Sequence, residues 1–128
     1  MRKFSADFVY WSHVALVLFW WGLFLVPRSA WDDKITFHFY LTAGIVGHQF
    51  LWGALIVPWT KKYRMVCALT TLMQWLRGQS VADPQNYGHS FTKEFFRKNG
   101  ITVSHRMVTA ITFTVLVLVS VQYFFFNN

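Results

Sequence analysis

Two stretches of this chain, residues 35–57 and 107–126, contain no Asp, Glu, Lys or Arg, and a third, residues 7–26, contains only Asp7. A helix rises about 1.5 Å per residue, so about twenty apolar residues match the ~30 Å hydrocarbon core of a bilayer. All three runs reach that length. The composition agrees: the chain is 55% hydrophobic and 13% charged, where a soluble domain carries about 25% charge. So few charges do not cover so much apolar surface in water. We therefore expect an all-α integral membrane protein, a single membrane domain of 128 residues with three transmembrane helices at about 7–26, 35–57 and 107–126.

Arg2 and Lys3 precede the first run as they would in a signal peptide, but the run exceeds the 7–15 residues of a signal h-region. Arg28-Ser29-Ala30 is also a poor cleavage site, so a retained helix is expected. The short link from Pro27 to Lys34 makes the first two runs an antiparallel hairpin. A fourth apolar stretch, about 65–76, is too short to span and is interrupted by Thr70, Thr71 and Gln74. It suits an interfacial or re-entrant helix. Residues 78–105 form a polar, turn-rich loop with Asp83-Pro84, Asn86, Gly88 and Asn99-Gly100. Within it, Phe91 to Arg97 has the pattern of a short amphipathic helix.

Charge decides between three spans and four. With three, residues 61–106 form one face holding eight Lys/Arg, and Arg2 and Lys3 join it. The opposite face has only Arg28 and Lys34, offset by Asp32 and Asp33. That fits a cytoplasmic N-terminus. The alternative of four spans puts Arg77, Lys93, Arg97, Lys98 and Arg106 outside. The net charge of +7 is thus read as orientation charge rather than a nucleic-acid stripe. Lys61, Lys62, Arg64 and Arg106 are the candidate contacts for lipid headgroups. Aromatic residues near the predicted edges (Tyr10, Trp11, Trp31, Trp59, Tyr63, Trp75, Tyr123) fit a belt. Trp20 and Trp21 lie deeper and are candidates for packing against a partner.

Ionisable groups inside spans are functional suspects, here Asp7, His13, His38 and His48. Asp7 is placed at a helix start, where a carboxylate suits the dipole. Measured from the turn, His13 and His48 fall at one depth, each roughly 9 Å inside the edge. Two imidazoles at one depth suit a haem or chlorophyll-type pigment, or a shared proton. Packed helices 8–10 Å apart leave no room for a porphyrin, although Gly44 and Gly47 form a smooth patch beside His48. Ala43 and Gly47 equally form a small-xxx-small pair for close helix packing, with satisfied histidines. His38 is on another face and is expected at the interface. Cys67, the only cysteine, reads as a small buried residue with Arg64 nearby; no disulfide or cysteine metal cluster is available. Ser104-His105-Arg106 reads as a cap and edge anchor. No phosphate loop, HExxH, GxSxG or EF-hand occurs. We expect no enzyme, no catalytic residue and no metal site.

The run Cys67-Ala68-Leu69-Thr70-Thr71-Leu72-Met73-Gln74-Trp75-Leu76-Arg77 resembles a motif of a bacterial family of small integral membrane proteins of unknown function. The motif runs Cys-Pro-Leu-Thr, then Leu-Glu, then Trp-Leu-Arg. Ala6-Asp7-Phe8-Val9 with His13 and Gly22, Trp52-Gly53, and Ser90-Phe91 after Tyr87 are similar too. Ala68 replaces the motif's proline and Met73 its glutamate, so no role of that carboxylate carries over. The resemblance implies a multi-pass protein of the bacterial inner membrane and no activity. The leading expectation is a non-catalytic accessory or structural subunit of a larger membrane complex, with the lipid bilayer and other membrane subunits as partners. A haem- or pigment-binding anchor using His13 or His48, and a small transporter or proton-path component, are the alternatives.

Overall fold

The computed structural model describes residues 2–84, 86 and 91–126. Tyr87, Gly88 and Ser90 lie outside the described residues. Among the described residues the regular structure is helical, without strands: α1 (Arg2–Gly22), a 3₁₀ turn (Arg28–Ala30), α2 (Lys34–Leu55), α3 (Val57–Thr60), α4 (Ala68–Leu76), α5 (Phe91–Lys98) and α6 (His105–Phe126). The three long helices cover the three apolar runs, but the runs are not equivalent. Among the described residues one helical stretch, Arg106–Phe126, is long and apolar enough to cross a membrane by length and composition. α1 and α2 are as long, but Asp7, His13, His38, His48 and Gln49, with several Trp and Tyr, lower their average hydropathy.

Helix α1 begins five residues before its apolar run. Asp7 therefore sits in the second turn, exposed, and does not fill the boundary role expected of it. At the other end of α1 the chain turns through Leu23–Val26. Lys34, buried at the start of α2, donates from Nζ to the Val26 carbonyl at 2.8 Å. Arg28 donates from Nη1 to the Phe126 carbonyl at 2.9 Å. That contact satisfies a terminal carbonyl of α6 and puts a cation at the negative end of its dipole. It also places the α1–α2 link and the end of α6 on the same side of the molecule. Ser104 Oγ accepts from the Met107 amide at 3.2 Å and caps the start of α6, as expected.

The close α1–α2 hairpin expected from the short link does not form. Helix α2 packs along α6, and α1 along α4. α1 and α2 meet near their connection, where the Phe24 ring stands edge-on to His38 at 4.6 Å and Trp20 Nε1 donates to Thr42 Oγ1 at 2.8 Å. Beyond that they diverge, because the segment after α3 folds back between them. Lys61 reverses the chain in the left-handed region (φ 58°). Residues 63–67 are not helical, unlike the expected helix over 65–76. They return along α2, with the Arg64 carbonyl laid against Gly53. A Cβ at Gly53 would overlap that carbonyl, so the close approach requires glycine. The Ala68 amide then donates to His48 Nε2 at 3.2 Å, and α4 starts there. It runs back past Trp52, whose Nε1 donates to Thr71 Oγ1 at 3.1 Å. From Gly53 to His48 is five residues, so the segment descends about 7.5 Å beside α2 before returning as a helix. α4 ends at Gly78 (φ 92°), whose amide pairs with the Trp75 carbonyl.

Two apolar clusters hold this arrangement. Tyr10 and Val14 of α1 pack with Met73 of α4 and Phe91 of α5. Trp20 of α1 packs with Val115 and Val119 of α6, flanked by Phe39, Leu41 and Ile45 of α2. Tyr10 and Trp20 are thus core residues. Tyr10 does not join an aromatic belt, and Trp20 packs within its own chain, whereas Trp21 is exposed.

Candidate functional site

The divergence of α1 from α2 leaves an internal space bounded by α1, α2, the returning segment, α5 and α6. It has two lobes, of about 560 and about 650 Å³. They share a wall that includes His13, Gln49, Cys67, Phe91 and Thr112. One, the polar lobe, is the more polar of the two and carries Arg64, Lys93, Thr70 and Thr109 among apolar neighbours. The other is apolar, with Val17, Trp21, Ile45, Leu69 and Ile111. No carboxylate lines either lobe among the described residues. Glu94, beside Lys93 in sequence, is held elsewhere: Arg77 grips it through two hydrogen bonds of 2.7 and 3.2 Å, and Lys98 lies at 3.3 Å. Burial would raise the Glu94 carboxyl. The hydrogen bonds and charges of Arg77 and Lys98 outweigh it and hold the group below its ordinary range.

His13 lines both lobes. Its ring stacks on Phe91 at 4.0 Å with 9° between the planes, and its Nδ1 is buried without a hydrogen-bond partner. The residue is 8% exposed. His48 lines the apolar lobe, but its Nε2 already accepts the Ala68 amide. The two candidate ligands therefore open on one space, as their matching depth suggested. They do not offer a pair of free ring nitrogens facing each other. A tetrapyrrole held by both would have to displace the His13–Phe91 stack. Gly44, expected to make room for it, is exposed, forms no part of the cavity wall, and has open space where a side chain would stand. Gly47 is half-buried, but it too lines neither lobe and has open space where a side chain would stand, so no helix of this chain packs closely on the Ala43/Gly47 patch. Among the described residues no group of three or more His, Cys, Asp or Glu could hold a metal ion.

His38, four residues into α2, is fully buried, and both of its ring nitrogens lack partners. Its carbonyl accepts the Thr42 hydroxyl at 2.7 Å, which in turn receives Trp20 Nε1. Cys67 is the N-cap residue of α4, partly buried and unbridged, and burial pushes its thiol up, away from a thiolate. Lys61 and Lys62 remain exposed beyond the end of α3, as does Arg106, whereas Arg64 is drawn into the polar lobe. Met73, where the resembled motif has a glutamate, is 1% exposed in the first core cluster. Arg77, at the end of the same run, pairs with Glu94 on α5. Sequence reasoning missed Gln49, Phe91, Lys93, Thr109 and Thr112 as cavity residues. For Gln49, next to His48, and for Thr109 and Thr112, one turn apart in α6, the one visible signal was polarity inside an apolar run; Phe91 and Lys93 offered none. No protein-family model, curated protein or solved structure matches this chain.

Proposed function

We propose that this chain is a non-catalytic subunit of a larger assembly in the bacterial inner membrane, crossing it three times with its N-terminus in the cytoplasm. The observation that carries this reading is the outward surface. Phe8, Trp11, Leu18, Leu51, Leu55, Val117 and Phe124 are each more than half exposed, spread over α1, α2 and α6. In the most apolar stretch of α6 only 11% is buried, which a core helix of a water-soluble protein would not tolerate. Water is a poor solvent for such a face, and lipid or a partner helix a good one. The ends support three crossings. Arg28 reaches the terminus of α6 on one side, while the cationic cluster at 61–64 and α5 belong to the other. The returning 63–67 segment with α4 is a re-entrant element whose irregular backbone is covered by protein. The open Gly44/Gly47 patch supports packing by a partner helix.

Two measurements test this. In a Cys67→Ser background, Ser29→Cys and Lys62→Cys should react with an impermeant thiol reagent from opposite sides of sealed vesicles. Reaction from one side only would sink the three-span topology. Mild-detergent extracts of native membranes should carry the chain in a complex well above its monomer mass of 15.1 kDa. A partnerless, monodisperse monomer would sink the subunit reading.

A further inference from the structure

The polar lobe combines features that favour an anion. Arg64 and Lys93 line it, no acidic side chain does among the described residues, and the N-terminal turn of α4 enters it through Cys67 and Thr70. His13 adds an independent sign. Its Nδ1 is buried without a partner on a residue that lines the same space. A buried polar atom left unsatisfied is costly unless something fills the site.

The space does not end at the polar lobe. That lobe shares His13, Gln49, Phe91 and Thr112 with the apolar lobe, which in turn shares Leu18, Trp21 and Ile111 with an open groove of about 650 Å³ between α1 and α6. That groove continues to Leu118 and is almost wholly apolar. From Thr109 in the polar lobe to Leu118 in the groove is nine residues of one helix, about 14 Å. Half of the ~30 Å hydrocarbon core, the depth of one leaflet, is about 15 Å. A cationic pocket joined to an apolar trough one leaflet deep fits an amphiphile with an anionic head and an acyl tail.

We propose that this cavity is a specific site for one anionic phospholipid, with the phosphate near Arg64, Lys93 and His13 and one acyl chain along the α1–α6 groove. The site rests on the membrane-embedded reading above. It differs from a general headgroup contact at Lys61 and Lys62, which lie outside the cavity. A lone phosphate would use the head and ignore the groove, and a zwitterionic lipid would use the groove but gain little from the charges.

The test is native mass spectrometry of the full chain released from mild detergent and titrated with phosphatidylglycerol, phosphatidylcholine of the same acyl chains, glycerol phosphate and inorganic phosphate. Phosphatidylglycerol should bind with a stoichiometry of one and at least about tenfold more tightly than phosphatidylcholine, the scale of one charge-assisted contact. Lys93→Gln should erase most of that preference. Ile111→Trp should block the groove and weaken both lipids. A Lys61→Gln/Lys62→Gln double variant should leave the single tight site unchanged. Equal affinity for the two lipids would overturn the proposal, as would no effect of Lys93→Gln, or glycerol phosphate binding as tightly as the lipid. A stable, lipid-free dimer that excludes phosphatidylglycerol would show that a second copy occupies the groove and would overturn it too. If instead the chain stays monodisperse without detergent, the membrane reading itself fails, and that result is separate from a failure of lipid selectivity.

Discussion

Three glycines on α2 provide an internal experiment on the re-entrant segment. Gly44, Gly47 and Gly53 share one helix, so replacing each by alanine brings the same gain in helix propensity, up to about 1 kcal/mol. Their surroundings differ. At Gly44 and Gly47 nothing stands within 4 Å of a new Cβ, whereas at Gly53 it would collide with the Arg64 backbone, with the Tyr63 ring 3.3 Å away. Backbone gives way less readily than a side-chain tip, so the returning segment must lift off α2. Overpacking of this kind costs about 1–3 kcal/mol. Lifting also strains the Ala68–His48 and Trp52–Thr71 hydrogen bonds, each worth about 1 kcal/mol. After the propensity gain, Gly53→Ala should destabilise the fold by about 2–4 kcal/mol. Gly44→Ala and Gly47→Ala should be neutral or stabilising. Chemical unfolding in detergent micelles, followed through tryptophan fluorescence, measures all three. A second readout is local: Cys67 ends the displaced segment, so a small thiol reagent should modify it faster in Gly53→Ala than in the parent. If Gly53→Ala matches Gly44→Ala in stability and Cys67 reactivity is unchanged, the segment does not lie against α2, and the cavity described here loses one wall.

Other expectations concern the contacts that fix α5 and the top of α1. Arg77→Ala and Glu94→Gln should show a coupling of about 1–2 kcal/mol in a double-mutant cycle, between the values of exposed and buried pairs; additive effects would mean the pair is not formed. Because the folded-state Glu94 carboxyl lies below its unfolded value of 4.5, its contribution should be complete above that pH and vanish as the pH falls through the folded value. Glu94→Gln should flatten this acid limb of the stability profile, and an unchanged limb would contradict the ion pair. Trp20→Phe keeps the ring in its cluster but removes the donor to Thr42, whose hydroxyl keeps its bond to the His38 carbonyl. A loss of about 1 kcal/mol is expected in the same unfolding assay, and no loss would argue that Trp20 acts by packing alone.

What could be read from the sequence was mainly one-dimensional. Charge-free runs fix where long helices lie, because charged residues and Pro27 interrupt the apolar pattern and Pro58 opens the separate short turn α3. The start of α1 was missed by five residues because Arg2, Lys3 and Asp7 are acceptable in a helix while being unacceptable in an apolar run. Counting from a turn also gives depth along a helix, so His13 and His48 could be matched before any contact was known. Lateral position is a different matter. A short link predicts adjacent helices, but adjacency along the chain competes with every other apolar face. Here Met73 of α4 and Phe91 of α5 take the face of α1 that α2 was expected to cover. The partners that define the cavity are remote in sequence, His13 with Phe91 and Trp52 with Thr71, and no local periodicity encodes either pairing. The expected porphyrin clash between packed helices therefore disappeared, while the expected room beside Gly44 did not materialise. Depth places two histidines at one level. Only the wedge driven between their helices turns that level into a space, and its chemistry then follows from what the wedge brings along: Arg64, Cys67 and Thr70, with no carboxylate.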